Sequence, residues 1–215
     1  MQTTQMKSLS LISVFLVGFM MLSVPLMAGE TKLVAKPASK EIINDLKKGG
    51  FVIYMRHGPT DTSKPDRVPN VDLEDCTTQR PLTEEGRAVS AGVGNAIRKA
   101  GIPVGEIIVS PMCRTKETAQ AAFGTDFSVN LNLRYSSNFT SDKKLVASKT
   151  TLELISRVVE PGTNRVLVAH GPNLMDLMGY FVKPEATVVI FRPMGDKRFE
   201  YIASIPPTMW PELLK

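Results

Sequence analysis

The sequence predicts an α/β domain built on a mostly parallel sheet with helices covering both faces. Three observations carry that reading. Short apolar runs at 51–55, 107–110 and 165–169 read as buried strands, amphipathic stretches of helical period separate them, and the runs stop at Arg56, Pro111 and His170. A chain of 215 residues with a hydrophobic fraction of 43% suits one domain with a full core. No fixed-period pattern marks a repeat array. The formal charge of +5 favours anionic partners but names none. Basic residues are scattered, in clusters no larger than Lys47-Lys48 or Lys143-Lys144, and zinc-finger spacing and aromatic–basic interleaving are both missing. Nucleic acid is therefore not an expected partner.

The N-terminus differs from the rest. Met1–Ser10 carries Lys7 and no acid, Leu11–Met27 is nearly all apolar, and Ala28-Gly29 follows. A basic start, an apolar middle and a small-residue exit read as a signal peptide over 1–28, with the folded domain at 29–215. Leu26 stands where such sites favour a small residue, so an uncleaved anchor is the alternative, with membrane contact through that segment alone. Either way the expected location is periplasmic or secreted. In an oxidising compartment the two cysteines, Cys76 and Cys113, invite a disulfide, the alternative being two separately buried thiols.

The elements follow in order. Phe51–Met55 is a strand that stops at Arg56-His57-Gly58-Pro59, and the proline-rich stretch 59–80 lacks an apolar face, as a functional loop does. Thr83 can cap a helix whose first turn holds Glu84 and Glu85, whose stripe is Val89, Val93 and Ile97, and whose stop is Gly101. Ile107–Ser110 is the second strand, ended by Pro111, with a helix through 116–122. An alternation at 127–133 reads as a strand, 136–144 as a polar loop, and 151–159 as a helix with Leu152, Ile155 and Val159 on one face. Arg165–Ala169 is a strand, His170-Gly171-Pro172 a turn, and Asn173 a cap for a helix through Leu177 and Phe181. Strand-like segments at 186–191 and 199–205 close the chain.

In such sheets ligands collect at the carboxyl ends of the strands. That rule selects Arg56 and His57, Ser110 to Arg114, and His170. The chain has two histidines, and each directly follows a strand and precedes Gly-Pro. A lone histidine is more often a packing residue; two at equivalent strand ends point to one shared polar site. Two histidines without a third ligand make a poor zinc site. There is no Gly-x-Ser-x-Gly elbow, no CxxC pair and no glycine-rich phosphate loop. Arginine is what accompanies the histidines: Arg56, Arg80 and Arg114. Guanidinium forks match phosphate oxygens and keep their charge, so the set suits attack of a neutral imidazole on phosphorus.

Four segments carry a family resemblance. Arg56-His57-Gly58 with Thr60, the run Pro81–Arg87, the run Ser110–Ala119 and Val168-Ala169-His170-Gly171 together resemble, in order, the motifs of the histidine phosphatase superfamily, the phosphoglycerate mutase-like group. The similarity runs from about Gly50 to Phe181. It implies a three-layer α/β/α sandwich and phosphoryl transfer to His57, whose other ring nitrogen is held by a backbone carbonyl. Arg56, Arg114 and His170 would surround the phosphate, with Gly58, Thr60, Arg80 and Gly171 also binding substrate, and no metal or other cofactor is implied. The implied activity is that of a phosphomonoesterase, with a phosphomutase or a non-catalytic phosphate-binding module as alternatives. The implied substrate is a phosphorylated small molecule or a glycan- or lipid-linked phosphate. The run Cys76–Leu82 is similar to exported bacterial members, including the lipopolysaccharide-core heptose phosphatase type. One role has no clear owner: Gly171 stands behind His170 where many members have an acid, and 127–140 contains no acid at all. Asp142 and Asp61 are the candidate general acids, whereas Glu117 is expected to face its helix partners or to orient an arginine.

Overall fold

The alternation within each central strand decides the architecture. In the computed structural model, which describes residues 33–215, β1 (Val52–Arg56) sends Ile53 and Met55 to one face of the sheet and Val52 and Tyr54 to the other. The strand β4 (Asn164–Ala169) divides Val166 and Val168 from Leu167 and Ala169 in the same way, and β5 (Val188–Pro193) divides Val188 and Ile190 from Val189 and Phe191. Both faces are thus apolar, and both must be covered. Helices α1 (Lys40–Leu46), α2 (Glu84–Lys99), α3 (Cys113–Phe123) and α6 (Trp210–Leu213) pack on the first face, while α4 (Ser141–Ser156) and α5 (Gly171–Met178) pack on the second. The result is the α/β/α sandwich.

With β2 (Val104–Val109), β3 (Ser128–Val129) and β6 (Phe199–Ile205), the sheet order is β3-β2-β4-β1-β5-β6. The pairs β1–β4, β2–β4 and β2–β3 are parallel; β1–β5 and β5–β6 are antiparallel. The sheet is mixed, with its parallel part at β3-β2-β4-β1. Those strands point the same way, so the segments leaving β1, β2 and β4 share one edge of the sheet.

Helix α2 forms as its sequence dictates. The Thr83 hydroxyl accepts from the Gly86 N–H at 2.9 Å, Glu84 and Glu85 sit in the first turn, Arg98 and Lys99 in the last, and Gly101 takes a left-handed φ of 69°. Gly94 is required where α2 crosses α3, because a Cβ there would run into the Ala122 carbonyl. On β4, Asn164 is fully buried and ties three segments: it accepts from the Phe51 N–H and donates to the carbonyls of Leu46 and Pro103.

Several expected boundaries move. Helix α3 begins at Cys113 rather than near 116, which puts Arg114 in its first turn. Only 128–129 of the 127–133 alternation is strand, and Leu131–Leu133 is a 3₁₀ turn that buries Leu133. Helix α4 occupies 141–156 rather than 151–159; its first half carries exposed Leu145 and Val146, so no apolar stripe announces it. Asn173 lies inside α5, whose N-cap is His170, and its amide donates to the Arg134 carbonyl at 3.1 Å. Helix α5 ends at Met178 because Gly179 turns left-handed. Helices α1 and α6 lack a sequence-level counterpart. The expected segment 1–28 lies outside the described residues, and among the described residues no helix is long and apolar enough to cross a membrane.

Candidate active site

The register of β1 against β4 brings the histidines together. Arg56 pairs with Ala169, so the next residues on the two strands, His57 and His170, leave the sheet side by side. The His57 N–H donates to the Ala169 carbonyl at 3.0 Å, and the two rings lie 5.3 Å apart, edge to face. Both are buried, His57 at 1% exposure and His170 at 0%.

Each ring is held by one nitrogen. His57 Nδ1 lies 2.8 Å from the Gly58 carbonyl oxygen, which only accepts, so Nδ1 carries the proton and Nε2 keeps its lone pair. His170 Nε2 lies 2.8 Å from Ser110 Oγ, and its Nδ1 makes no hydrogen bond within the protein. Tyr54 clamps the backbone of His170, donating to its carbonyl at 2.6 Å and accepting from its N–H at 3.1 Å. Burial, and then the charge of Arg114, holds both imidazoles well below the usual histidine range, the Gly58 carbonyl opposing this only partly for His57. A neutral His57 with a free Nε2 is the form in which imidazole is a nucleophile.

Three arginines converge on this pair. Arg56 donates to the Val182 carbonyl at 2.8 Å and to Glu185 at 3.0 Å, and its guanidinium lies 5.3 Å from the centre of the Phe181 ring. Arg114 is 0% exposed; it gives both terminal nitrogens to the Asp66 carboxylate, at 2.9 and 3.3 Å, and lies 5.2 Å from the centre of the Tyr135 ring. Arg80 lines a 230 Å³ cavity with Asp66, Val68, Tyr135 and Asn138. The Nε atoms of Arg56, Arg80 and Arg114 are buried and make no hydrogen bond within the protein. Such donors beside a neutral imidazole form a setting for an anion. Among the described residues no group of three or more His, Cys, Asp and Glu is placed to hold a metal ion.

The other sequence-selected residues fall out as follows. Thr60 donates to Glu185 at 3.2 Å and so joins the Arg56 side of the site. Gly58 is committed elsewhere: its N–H donates to Thr118 Oγ1 at 2.9 Å, and a Cβ would collide with the Gly86 carbonyl, so it positions His57 against α2. Gly171 opens α5 and leaves room for the Phe181 ring. Neither candidate acid joins the cluster. Asp61 turns to Ser63 and Lys64, and Asp142 lines a separate 390 Å³ groove with Leu131, Val146 and Lys143. Glu117 pairs with Arg87 on α2 and so orients an arginine.

Residues not selected from sequence are Asp66, Ser110 as a histidine partner, Thr118, Tyr135 and Glu185. Asp66 sits among many acids in an aperiodic loop, and Glu185 lies 129 residues from Arg56, so neither has a local signal. Cys76 and Cys113 form a disulfide, which fastens the end of that loop to the first residue of α3 beside Arg114. Gln79 supports the junction by accepting from the Cys113 N–H at 2.8 Å. A larger cavity of 610 Å³ between α2 and the C-terminal segment contains neither histidine, and its lining is mostly apolar.

Comparison with known proteins agrees with this fold. Residues 52–134 match the model of the histidine phosphatase superfamily (branch 1), a span that includes His57 and Arg114 and stops before His170. The fold is similar to that of the protein histidine phosphatase SixA complexed with tungstate, at 15% identity over 74% of this chain and 97% of that one, with a TM-score of 0.52. It is also similar to the alpha-ribazole phosphatase from Shigella flexneri, at 10% identity over 73% and 96% with a TM-score of 0.53. A mycobacterial glucosyl-3-phosphoglycerate phosphatase shares 17% identity over 72% and 98%, with a TM-score of 0.51. No curated protein matches the chain in sequence. The matched segment, residues 52–134, is thus similar to the histidine phosphatase superfamily, and the sandwich that carries it has the fold of those phosphatases.

Proposed function

We propose that this chain is a phosphomonoesterase that transfers the phosphoryl group of its substrate to His57 Nε2 and then to water. The supporting observation is the His57 Nδ1–Gly58 carbonyl bond at 2.8 Å, which leaves a neutral Nε2 lone pair buried among Arg56, Arg80 and Arg114. Attack forms the N–P bond and breaks the ester P–O bond. The arginines and His170 Nδ1 take the equatorial oxygens as their charge rises, and water then cleaves the N–P bond. The substrate class is a phosphorylated small molecule or a glycan- or lipid-linked phosphate. We place the enzyme in an exported bacterial branch; the Cys76–Cys113 disulfide supports an oxidising compartment.

The test is turnover of an aryl phosphate in EDTA, with rapid-quench trapping of an acid-labile, base-stable phosphoprotein. His57→Ala is expected to lower kcat by about 10³-fold or more and to abolish the trapped species. Undiminished activity in His57→Ala would remove His57 as nucleophile. Transfer of phosphate between hydroxyls of one substrate without free phosphate would favour a mutase, and binding of vanadate with no turnover a binding module.

A further inference from the structure

We propose that Asp66 is the proton donor for the leaving oxygen, parked on Arg114 until substrate arrives; the inference rests on the phosphomonoesterase reading above. Among the described residues two carboxylates touch the arginine cluster, and they are held differently. Glu185 Oε1 accepts from both Arg56 and Thr60, and Arg56 spends its other terminal nitrogen on the Val182 carbonyl. Glu185 therefore fixes Arg56 in place. Asp66 instead spans both terminal nitrogens of Arg114, with Oδ1 at 2.9 Å and Oδ2 at 3.3 Å, while Oδ1 also accepts from the Arg80 backbone N–H at 2.7 Å and the Arg114 Nε stays unpaired.

That fork is the geometry in which a guanidinium holds two oxygens of a phosphate. Phosphate and the Asp66 carboxylate cannot occupy it together, so a phosphate that engages Arg114 through this edge displaces Asp66. The displaced group has somewhere to go, because the 230 Å³ cavity that Asp66 lines runs beside Arg80, Tyr135 and Asn138. It stays close, because its backbone is held: the Arg67 N–H donates to the Thr78 carbonyl at 2.9 Å, and Cys76–Cys113 and Gln79 fasten the loop's far end to α3. Asp61, bonded to Ser63, and Asp142, in a separate groove, lack this placement.

The proton inventory closes without another reactant. A monoester monoanion entering the arginine cluster passes its proton to the displaced carboxylate and binds as the dianion, the more charged ester being the form that the cations favour. His57 Nε2 then bonds to phosphorus. The P–O pair goes to the leaving oxygen, which takes the proton from Asp66. In the second half the Asp66 carboxylate accepts a proton from the attacking water as the N–P pair returns to Nε2.

The test compares phenyl phosphate with 2,4-dinitrophenyl phosphate, similar substrates whose leaving oxygens differ in their need for a proton. Asp66→Asn is expected to lower kcat on phenyl phosphate by about 10²-fold or more and to change turnover of the dinitrophenyl ester by less than about threefold. Asp66→Glu, which keeps the carboxyl group, is expected to recover part of the phenyl phosphate activity. Equal losses on both esters, faster turnover of both, or a Glu variant no better than Asn overturns the assignment; faster turnover of both means that Asp66 only obstructs Arg114. Trapped phosphohistidine distinguishes the two levels. If wild type forms it and Asp66→Asn loses both activities equally, the donor alone falls; if wild type forms none from the dinitrophenyl ester, the nucleophile and the donor fall together.

Discussion

Replacing the Cys76–Cys113 bridge with serines at both positions is expected to cost about 4 kcal/mol of stability. The magnitude follows from the loop it closes. The two cysteines are 37 residues apart in sequence, and closing a loop of that length removes about 13 cal/mol/K of chain entropy from the unfolded state, or about 4 kcal/mol at 25 °C. For a domain of this size that corresponds to a fall in Tm of about 8–16 °C. The assay is guanidinium unfolding of the wild type and of Cys76→Ser/Cys113→Ser under non-reducing conditions. Reduced wild type serves as the control that keeps both sulfurs, since Cys113 is buried and its replacement also disturbs packing. The loss should appear in both the variant and the reduced protein. A loss under about 1 kcal/mol in the reduced protein would refute the loop-closure reasoning, because the chain between the cysteines includes α2 and β2 and would then already be constrained when unfolded.

Further expectations concern pH and packing. His57 and His170 are held below their unfolded value of about 6.5, so the unfolded chain binds more protons as pH falls; their contribution is full above that value and is lost below it, with a limiting slope of about 2.7 kcal/mol per pH unit for the pair. Urea titrations between pH 8 and 5 should show it, His57→Ala should about halve the slope, and flat stability across that range would contradict neutral burial. Glu106, held low against its own burial by Arg165 and Arg157, acts in the same direction at lower pH. Gly94→Ala should cost about 1–3 kcal/mol by forcing α2 away from the Ala122 carbonyl, and an unchanged unfolding midpoint would show that the two helices can part freely.

The strand ends that carry Arg56, His57 and His170 are legible along the chain alone. Continuous apolar runs bounded by Arg56-His57 and by His170 mark strands buried on both faces, and a parallel arrangement then puts those ends on one edge. The cap of α2 at Thr83 and its stop at Gly101 are equally local, because a side chain a few residues away satisfies them. The start of α4 is not legible, since Leu145 and Val146 are exposed and lie off any buried stripe. Nor are Asp66 and Glu185. Their pairing with Arg114 and Arg56 spans 48 and 129 residues, and a carboxylate in an aperiodic loop looks the same whether it meets water or a guanidinium. The two cysteines are visible in the sequence, but only the folded chain brings Cys76 to the first residue of α3. Local propensity and burial period are written along the chain; which long-range cation a loop carboxylate reaches is decided by how the layers close around it.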